Sequence, residues 1–401
     1  MYQLPSYSHG KSKWVVYGSE LSPFTLKLLN YLAFLHIPHV FYHTQVNTWQ
    51  NIKIEIKKNL LVLGLKPLTW PEMSDEDEFP LVPFLFGPNG EALYDSTAIA
   101  HWLERQPNLK IERTLFPNAN SEPSLDFFQH LIDDFFDDWG LYCVHHNRWK
   151  VACLDNNAGA RLGNELRSLV GPFGFVVDAF FSKRQTRRLP YLFSVAPSNF
   201  RIENARHTPP SHLDFPETHT LLEESFSNIL TALESIFSKH PFLFGNSYTL
   251  ADASVYGQLG MNLSDPAAAR WIADKAPNTF KWLTKLSRLD FSDHKDNQAK
   301  WHDDLKPLLA EISRVYLPLM HQNAQAYSQF KQQGQKQFNE SAFWKNQAIF
   351  TGELDGTPFK SVAKSFQAGT WRELKTIFQA LGQTDRSFIA SNLHNIECLT
   401  A

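Results

Sequence analysis

Cysteine is scarce in this 401-residue chain, which carries three: Cys143, Cys153 and Cys398. They form no CxxC pair and no zinc-like spacing, and an odd number is poor material for a disulfide framework. A reducing, cytoplasmic setting is therefore expected. No uninterrupted apolar run of about 18 residues occurs, so no membrane span is expected. The stretch MYQLPSYSHGKSK is polar and has no apolar segment that would serve as a signal peptide. An excess of one charge is missing too: 38 Lys and Arg stand against 41 Asp and Glu, a net charge of −3. That balance does not indicate a broad nucleic-acid-binding surface.

What is present is globular. Hydrophobic residues make up 43% and charged residues 20% of the chain, unlike a disordered segment. A length of 401 residues suggests two or three domains. Aromatic content reaches 14%, with 32 Phe, 12 Tyr and 11 Trp, which fits large cores, pockets or interfaces and names no ligand.

The first hundred residues read most clearly. Lys13–Gly18 is a short apolar run bounded by polar residues and glycine, hence a buried strand. Ser22-Pro23 opens a helix with Leu28, Leu29, Leu32 and Leu35 at helical spacing, Ser as N-cap and Pro at the first helical position. It should stop near Ile37-Pro38. A second strand follows at His39–Val46. From Asn47 to Glu78 the signals conflict: Ile52, Ile54 and Ile56 alternate like a strand, while Leu60–Leu65 suits a helix. Ser74–Glu78 reads as a solvated acidic loop. Leu81–Phe86 and Glu91–Tyr94 flank Pro88-Asn89-Gly90, a hairpin signal. Ser96 then caps a helix carrying Ile99, Trp102 and Leu103. This is the element order of a thioredoxin-like domain.

Beyond Ile111 the pattern turns helical. Leu125–Val144 is apolar at Phe127, Phe128, Leu131, Ile132, Phe135, Phe136 and Trp139. A further helical stretch breaks at Gly171-Pro172, and Ser194–His219 reads as a long surface loop. Helices are expected at Leu221–Phe237, Thr249–Met261, Thr279–Leu286 and Leu305–Gln325. Near the C-terminus Asp355-Gly356 marks a hairpin, and TWRELKTIFQALG a helix with a glycine stop.

Three segments in order resemble cytosolic glutathione S-transferases. YGSELSPFTLKLLNYLAFLHIPH resembles their first strand–helix unit, and EFPLVPFLFGPNGEALYDSTAIAHWLE their hairpin and following helix. FLFGNSYTLADASVYG resembles the capped helix of their all-α domain. The resemblance covers Lys13 to about Glu104 and Leu221 to about Leu286, leaving Cys143–His219 and the C-terminal stretch unexplained. It implies a divergent, enlarged, bacterial-type member of α/β plus all-α class: a thioredoxin-like glutathione-binding domain over residues 1–111, then an all-helical domain over 112–325. That second domain carries an insertion near 145–219, and residues 326–401 form a C-terminal extension.

The implied chemistry is activation of the glutathione thiol for attack on an apolar electrophile, with glutathione as co-substrate, no metal and a homodimeric assembly. Ser22 is the first catalytic candidate, in an SPF sequence matching a CPY/CPF pattern of the glutaredoxin-like relatives. A hydroxyl at a helix N-terminus can donate to a thiolate and lower the thiol pKa; the competing reading is a plain helix cap. Without cysteine at 22 or 25, reduction by a protein thiol is disfavoured. Tyr17, otherwise a core aromatic, and Ser19 are further candidate hydroxyls. Val82-Pro83 matches the Val-Pro whose cis proline precedes the third strand, with the Val82 backbone facing the cysteinyl part of glutathione. Asp95-Ser96 matches the acidic-Ser pair holding the γ-glutamyl end, and also suits a simple cap. Phe24, Phe135 and Trp139 are expected to line the electrophile pocket.

Other features read as structural. Thr249-Leu250-Ala251-Asp252 is of capping-box type. Asp133, Asp134, Asp137 and Asp138, with His145 and His146 beyond, lack the second Glu-x-x-His helix of a di-iron site. They read as a solvated face or a wall of the pocket, with Gly140 a possible helix break before the histidines. Lys183–Arg188 reads as an exposed basic loop. Two other functions stay open: a binding or scaffold protein keeping the fold without turnover, and a glutathione-dependent lyase or dehalogenase.

Overall fold

Strict alternation along four short strands sets the first layer. The computed structural model describes residues 13–42, 48–73 and 82–400. The acidic loop expected at Ser74–Glu78 and the second half of the strand expected at His39–Val46 lie outside them. Strands β1 (Trp14–Tyr17), β2 (His39–Phe41), β3 (Phe84–Phe86) and β4 (Ala92–Tyr94) form one sheet in the order β2-β1-β3-β4. β1 and β2 run parallel, joined by helix α1 (Pro23–Phe34), while β3 is antiparallel to both β1 and β4. Trp14, Val16, Leu85 and Leu93 face the main core, and Tyr17, Phe84, Phe86 and Ala92 face a smaller cluster on the other side. Successive side chains point to opposite faces, so each strand feeds both layers.

Helix α2 (Thr48–Val62) covers the smaller cluster with Ile54 and Leu61. The ambiguous Ile52-Ile54-Ile56 stretch is thus helical, with Ile54 packed inward and Ile52 and Ile56 exposed. The 3.6-residue period, not the alternation, decides which isoleucine is buried. The β3–β4 turn is as expected, with Gly90 at φ 99°, a left-handed angle that glycine takes without Cβ strain. Helix α3 (Ser96–Glu104) follows, but its N-cap is Asp95 and not Ser96.

The remainder is mainly helical. Helix α4 (Pro123–Phe135) continues through a π-helical turn (Phe136–Gly140), α5 (Leu141–His146) and a second π turn (Asn147–Val151). Gly140 therefore does not break the helix. Helices α6 (Ala158–Glu165), α7 (Arg167–Val170) and α8 (Gly174–Arg187) form the inserted unit. The basic Lys183–Arg188 run, expected as a loop, is largely the last turn of α8. There Arg188 pairs with Glu340 at 2.8 Å and the Arg187 guanidinium lies 4.8 Å from the Trp344 ring centre. Residues 194–218 are irregular, as expected, but Ser194, Val195, Ala196 and Thr218 are buried, so the segment is no free surface loop.

Helices α9 (His219–Phe237), α10 (Leu250–Asn262), α11 (Pro266–Lys275) and α12 (Pro277–Ser287) complete the central bundle. Then α13 (Lys306–Glu311) and α14 (Leu317–Gln332) flank a third π turn, Ile312–Tyr316. The chain closes with α15 (Glu340–Trp344), the hairpin β5 (Ile349–Leu354) and β6 (Thr357–Val362), α16 (Ser365–Ala380), α17 (Gln383–Ala390) and α18 (Glu397–Thr400). The hairpin turns at Asp355-Gly356, as its sequence implies.

This last part is no loose appendage. Phe378 meets Phe127 of α4 at 5.6 Å between ring centres, and Ser124 Oγ donates to Asp385 Oδ1 at 2.6 Å. One hydrophobic cluster runs from the α1 side of the sheet through α4, α9 and α10 into α16.

Candidate functional site

The register of the sheet brings three distant segments to one end of it. Tyr17 pairs with Phe84 and Phe84 with Tyr94, so the three residues form one row across β1, β3 and β4. The chain leaves β1 beyond Tyr17 toward Ser22, enters β3 from Val82-Pro83, and leaves β4 beyond Tyr94 into Asp95-Ser96. All these candidates thus flank the same row.

Ser22 is the N-cap of α1, half-buried, with Oγ accepting from Thr25 N at a long 3.4 Å. A hydroxyl used as acceptor keeps its own hydrogen for a second partner. The Val82–Pro83 peptide is cis, as the resemblance implies. Asp95 is exposed, caps α3 by accepting from Ala98 N at 2.9 Å, and holds φ 66° and ψ 126°. A non-glycine residue rarely takes that conformation, which costs on the order of 1–3 kcal/mol. Ser96 is buried, and its Oγ has no hydrogen-bond partner among the described residues. An unsatisfied hydroxyl at a helix N-terminus suits an anionic oxygen.

Tyr17 is differently placed. Its ring faces the α2 side and its hydroxyl donates to Glu55 Oε1 at 2.9 Å, an oxygen that also accepts from Tyr42 at 2.8 Å. Burial first, then the Glu55 carboxylate, raises the phenol pKa above its ordinary value. Its one hydrogen is thus committed to Glu55, and the charge of that carboxylate opposes a neighbouring thiolate. Phe24 is half-buried beside Ser22, but Phe135 and Trp139 are fully buried. The expectation that these two line a pocket is corrected: both point into the main core, where Trp139 Nε1 donates to Ser225 Oγ.

The acidic run on α4 is corrected as well. Asp133 and Asp138 are 0% and 5% exposed, so they form no solvated face. Lys27 of α1, itself fully buried, donates to Asp133 Oδ1, Asp137 Oδ2 and Thr97 Oγ1, each at 2.7 Å. Burial alone would lower the lysine pKa, but the two carboxylates reverse this and keep it charged. Asp138 accepts instead from Tyr316 and Gln367. His145 and His146 bond to Gln185 and Ser194, away from the aspartates.

Two further groups steady the Ser22 turn, and sequence reasoning missed both. Arg148 Nη1 donates to the Leu21 carbonyl at 3.1 Å while Nε pairs with Asp265 at 2.6 Å. Glu165 of the inserted unit accepts from Glu20 N at 3.2 Å and from the Ser19 side chain, with burial pushing its carboxyl up to about 7. Neither sits in a motif. Lys27 did leave a trace, since its spacing from Tyr31 and Phe34 puts a charge on the apolar stripe of α1.

With this geometry in view, the comparisons are consistent. A model of the glutathione S-transferase N-terminal domain matches residues 21–106, and one of the glutathione S-transferase C-terminal domain matches residues 216–285. These two segments carry the N- and C-terminal domains of the glutathione S-transferase family, in that order along the chain. Solved structures with loose similarity include the glutathione S-transferase of Pseudomonas fluorescens, at 16% identity and a TM-score of 0.33, covering 68% of this chain and 94% of that one. A glutathione S-transferase of Ceriporiopsis subvermispora in complex with glutathione gives 16% identity and a TM-score of 0.41, covering 71% and 98%. Glutaredoxin 2 of Salmonella typhimurium in complex with glutathione gives 10% identity and 0.30, covering 69% and 100%. The likeness to this family rests on the two domain models, over the residues they match. No curated protein matches the chain.

Proposed function

We propose that the protein binds glutathione at this end of the sheet and activates its thiol for attack on an apolar electrophile. The observation that carries the reading is the single row Tyr17–Phe84–Tyr94, flanked at one end of the sheet by Ser22, Val82 and Asp95-Ser96. Ser22 Oγ donates to the thiolate sulfur and, with the N-terminal end of α1, lowers the thiol pKa. The Val82 backbone pairs with the cysteinyl part. Ser96 and the N-terminus of α3 take the γ-glutamyl carboxylate, and Asp95 takes the ammonium group. Phe24 contributes to the electrophile side. A cytoplasmic homodimer is the assembly proposed with this activity.

Calorimetry with glutathione on wild type, Ser96→Ala and Ser22→Ala tests the reading. Binding that Ser96→Ala weakens, with Ser22→Ala retaining binding but raising the bound thiol's pKa, supports it. Absence of binding at several millimolar glutathione removes it.

A second reading has its own support. Phe135 and Trp139, expected at an electrophile pocket, are enclosed in the core. A binding protein that retains the fold without turnover fits this burial. Glutathione binding without conjugation of a generic aryl halide distinguishes it from the first.

A further inference from the structure

His240, His302 and Asp304 lie outside everything described so far, and each offers a ligand atom within 4.8 Å of the others. His240 follows the end of α9, while His302 and Asp304 stand at the turn that leads into α13. The two segments are pinned together by backbone: Lys300 N donates to the Phe244 carbonyl at 3.1 Å. The histidine rings stack with centres 3.7 Å apart, and His240 Nε2 lies 3.0 Å from Asp304 Oδ2.

His302 carries the detail that points to a ligand. Its Nε2 faces the Leu243 carbonyl at 2.8 Å, so that nitrogen bears the proton. The other nitrogen, Nδ1, then presents a bare lone pair, and it is buried with no hydrogen-bond partner among the described residues. A backbone carbonyl that fixes one nitrogen and frees the other is how ligating histidines are usually oriented.

We propose that His240, His302 and Asp304 form a binding site for a divalent transition-metal ion of the zinc class, which ties the segment before α13 to the end of α9. Two imidazoles and a carboxylate are a zinc donor set, with remaining positions open to water. Tetrahedral zinc at about 2.1 Å from each ligand separates donor atoms by roughly 3.4 Å. The His240–Asp304 pair is already near that spacing, and turning the stacked rings out of parallel closes the rest. The competing cation is Lys239, whose Nζ lies 2.5 Å from Asp304 Oδ1 on a side chain 57% exposed. It can release the carboxylate into solvent without leaving a buried charge. The site differs from the expectation of a metal-free protein, which weighed the cysteine spacing and the Asp133, Asp134, Asp137, Asp138, His145 and His146 cluster.

The test uses untagged full-length protein, stripped with chelator and titrated with zinc chloride by calorimetry, with cobalt absorption in parallel. Wild type is expected to bind one zinc ion per chain, to give the visible bands of low-coordinate cobalt, and to gain thermal stability with zinc. His302→Ala and Asp304→Asn each weaken binding more than about tenfold and abolish the thermal gain. Lys239→Met tightens binding by freeing Asp304. Exposed His394 serves as a control, and His394→Ala leaves binding unchanged. Near-ultraviolet circular dichroism identifies any misfolded variant, and either ligand variant alone decides the question. Equal zinc affinity in wild type and a folded ligand variant, or no saturable uptake by wild type, overturns the proposal.

Discussion

Lys27 Nζ and Asp133 Oδ1 lie 2.7 Å apart with each side chain 1% exposed, joining the first helix of the sheet layer to the long helix of the bundle. Thr97, next to Ser96, accepts from the same ammonium, and Ser254 donates to the same carboxylate. The buried ion pair therefore sits directly behind the candidate site and couples its two helices to α10.

Lys27→Met leaves two carboxylates without their cation. Removing one member of a buried pair costs about 3–5 kcal/mol, and unfolding in urea should show a loss of that size. Adding Asp133→Asn and Asp137→Asn to Lys27→Met is expected to recover much of it. A triple variant no better than Lys27→Met would mean that packing of the lysine stem, not charge, is what matters.

Arg148 links the bundle to the turn before Ser22 through the Leu21 carbonyl. Arg148→Met leaves Asp265, whose side chain is 0% exposed, unpaired and should destabilise by about 3–5 kcal/mol. Arg148→Lys keeps the charge but not the fork, and is expected to retain the fold while weakening glutathione binding. Unaltered binding by a folded Arg148→Lys would show that the turn holds its shape unaided.

His39 is buried, with Nδ1 2.8 Å from the Ile37 carbonyl, and burial lowers its pKa to about 4. The unfolded chain binds this proton below about pH 6.5, whereas the folded chain resists it until about pH 4. Stability from this group is thus full above pH 6.5 and is lost as pH falls toward 4. Relative to His39→Gln, wild type should lose on the order of 1–3 kcal/mol across that window. Urea midpoints of both proteins at several pH values measure it, and parallel curves would refute it.

Thr249 and Asp252 form the expected capping box at α10, with Asp252 Oδ2 accepting from Thr249 N and Oγ1 at 2.9 Å each. The other oxygen takes Leu243 N at 2.8 Å, so this carboxylate also fixes the preceding loop. Thr249→Ala should cost on the order of 1 kcal/mol and leave glutathione binding intact. Asp252→Ala strands two buried amides and should cost about 2–4 kcal/mol. Thermal denaturation of the two variants checks the order, and a larger loss for Thr249→Ala would reverse the assignment.

Truncation after Gln332 uncovers Phe127 and Phe128, both 0% exposed in the full chain. Each buried phenylalanine contributes about 1.5–3 kcal/mol. The shortened protein is expected to bind a hydrophobic dye and to aggregate in light scattering. A monodisperse, dye-silent product would show that the bundle is complete without its extension.

Local chemistry sufficed where a segment carries its own instructions. The SPF start of α1, the Asn89-Gly90 and Asp355-Gly356 turns and the Thr249–Asp252 box are legible because capping and left-handed turns depend on residues within a few positions. The candidate glutathione-contacting residues were legible for the same reason, each lying at a helix start or beside a strand. What the sequence could not display is which face of a helix finds a partner. The aspartates of α4 look solvated in one dimension, and only the approach of Lys27, 106 positions away, makes their burial tolerable. Phe135 and Trp139 have the composition of a pocket wall and became core because other helices cover them. Arg148, Glu165 and the His240–His302–Asp304 cluster are likewise products of chain crossing, where a buried polar group is stable only beside partners supplied by distant segments.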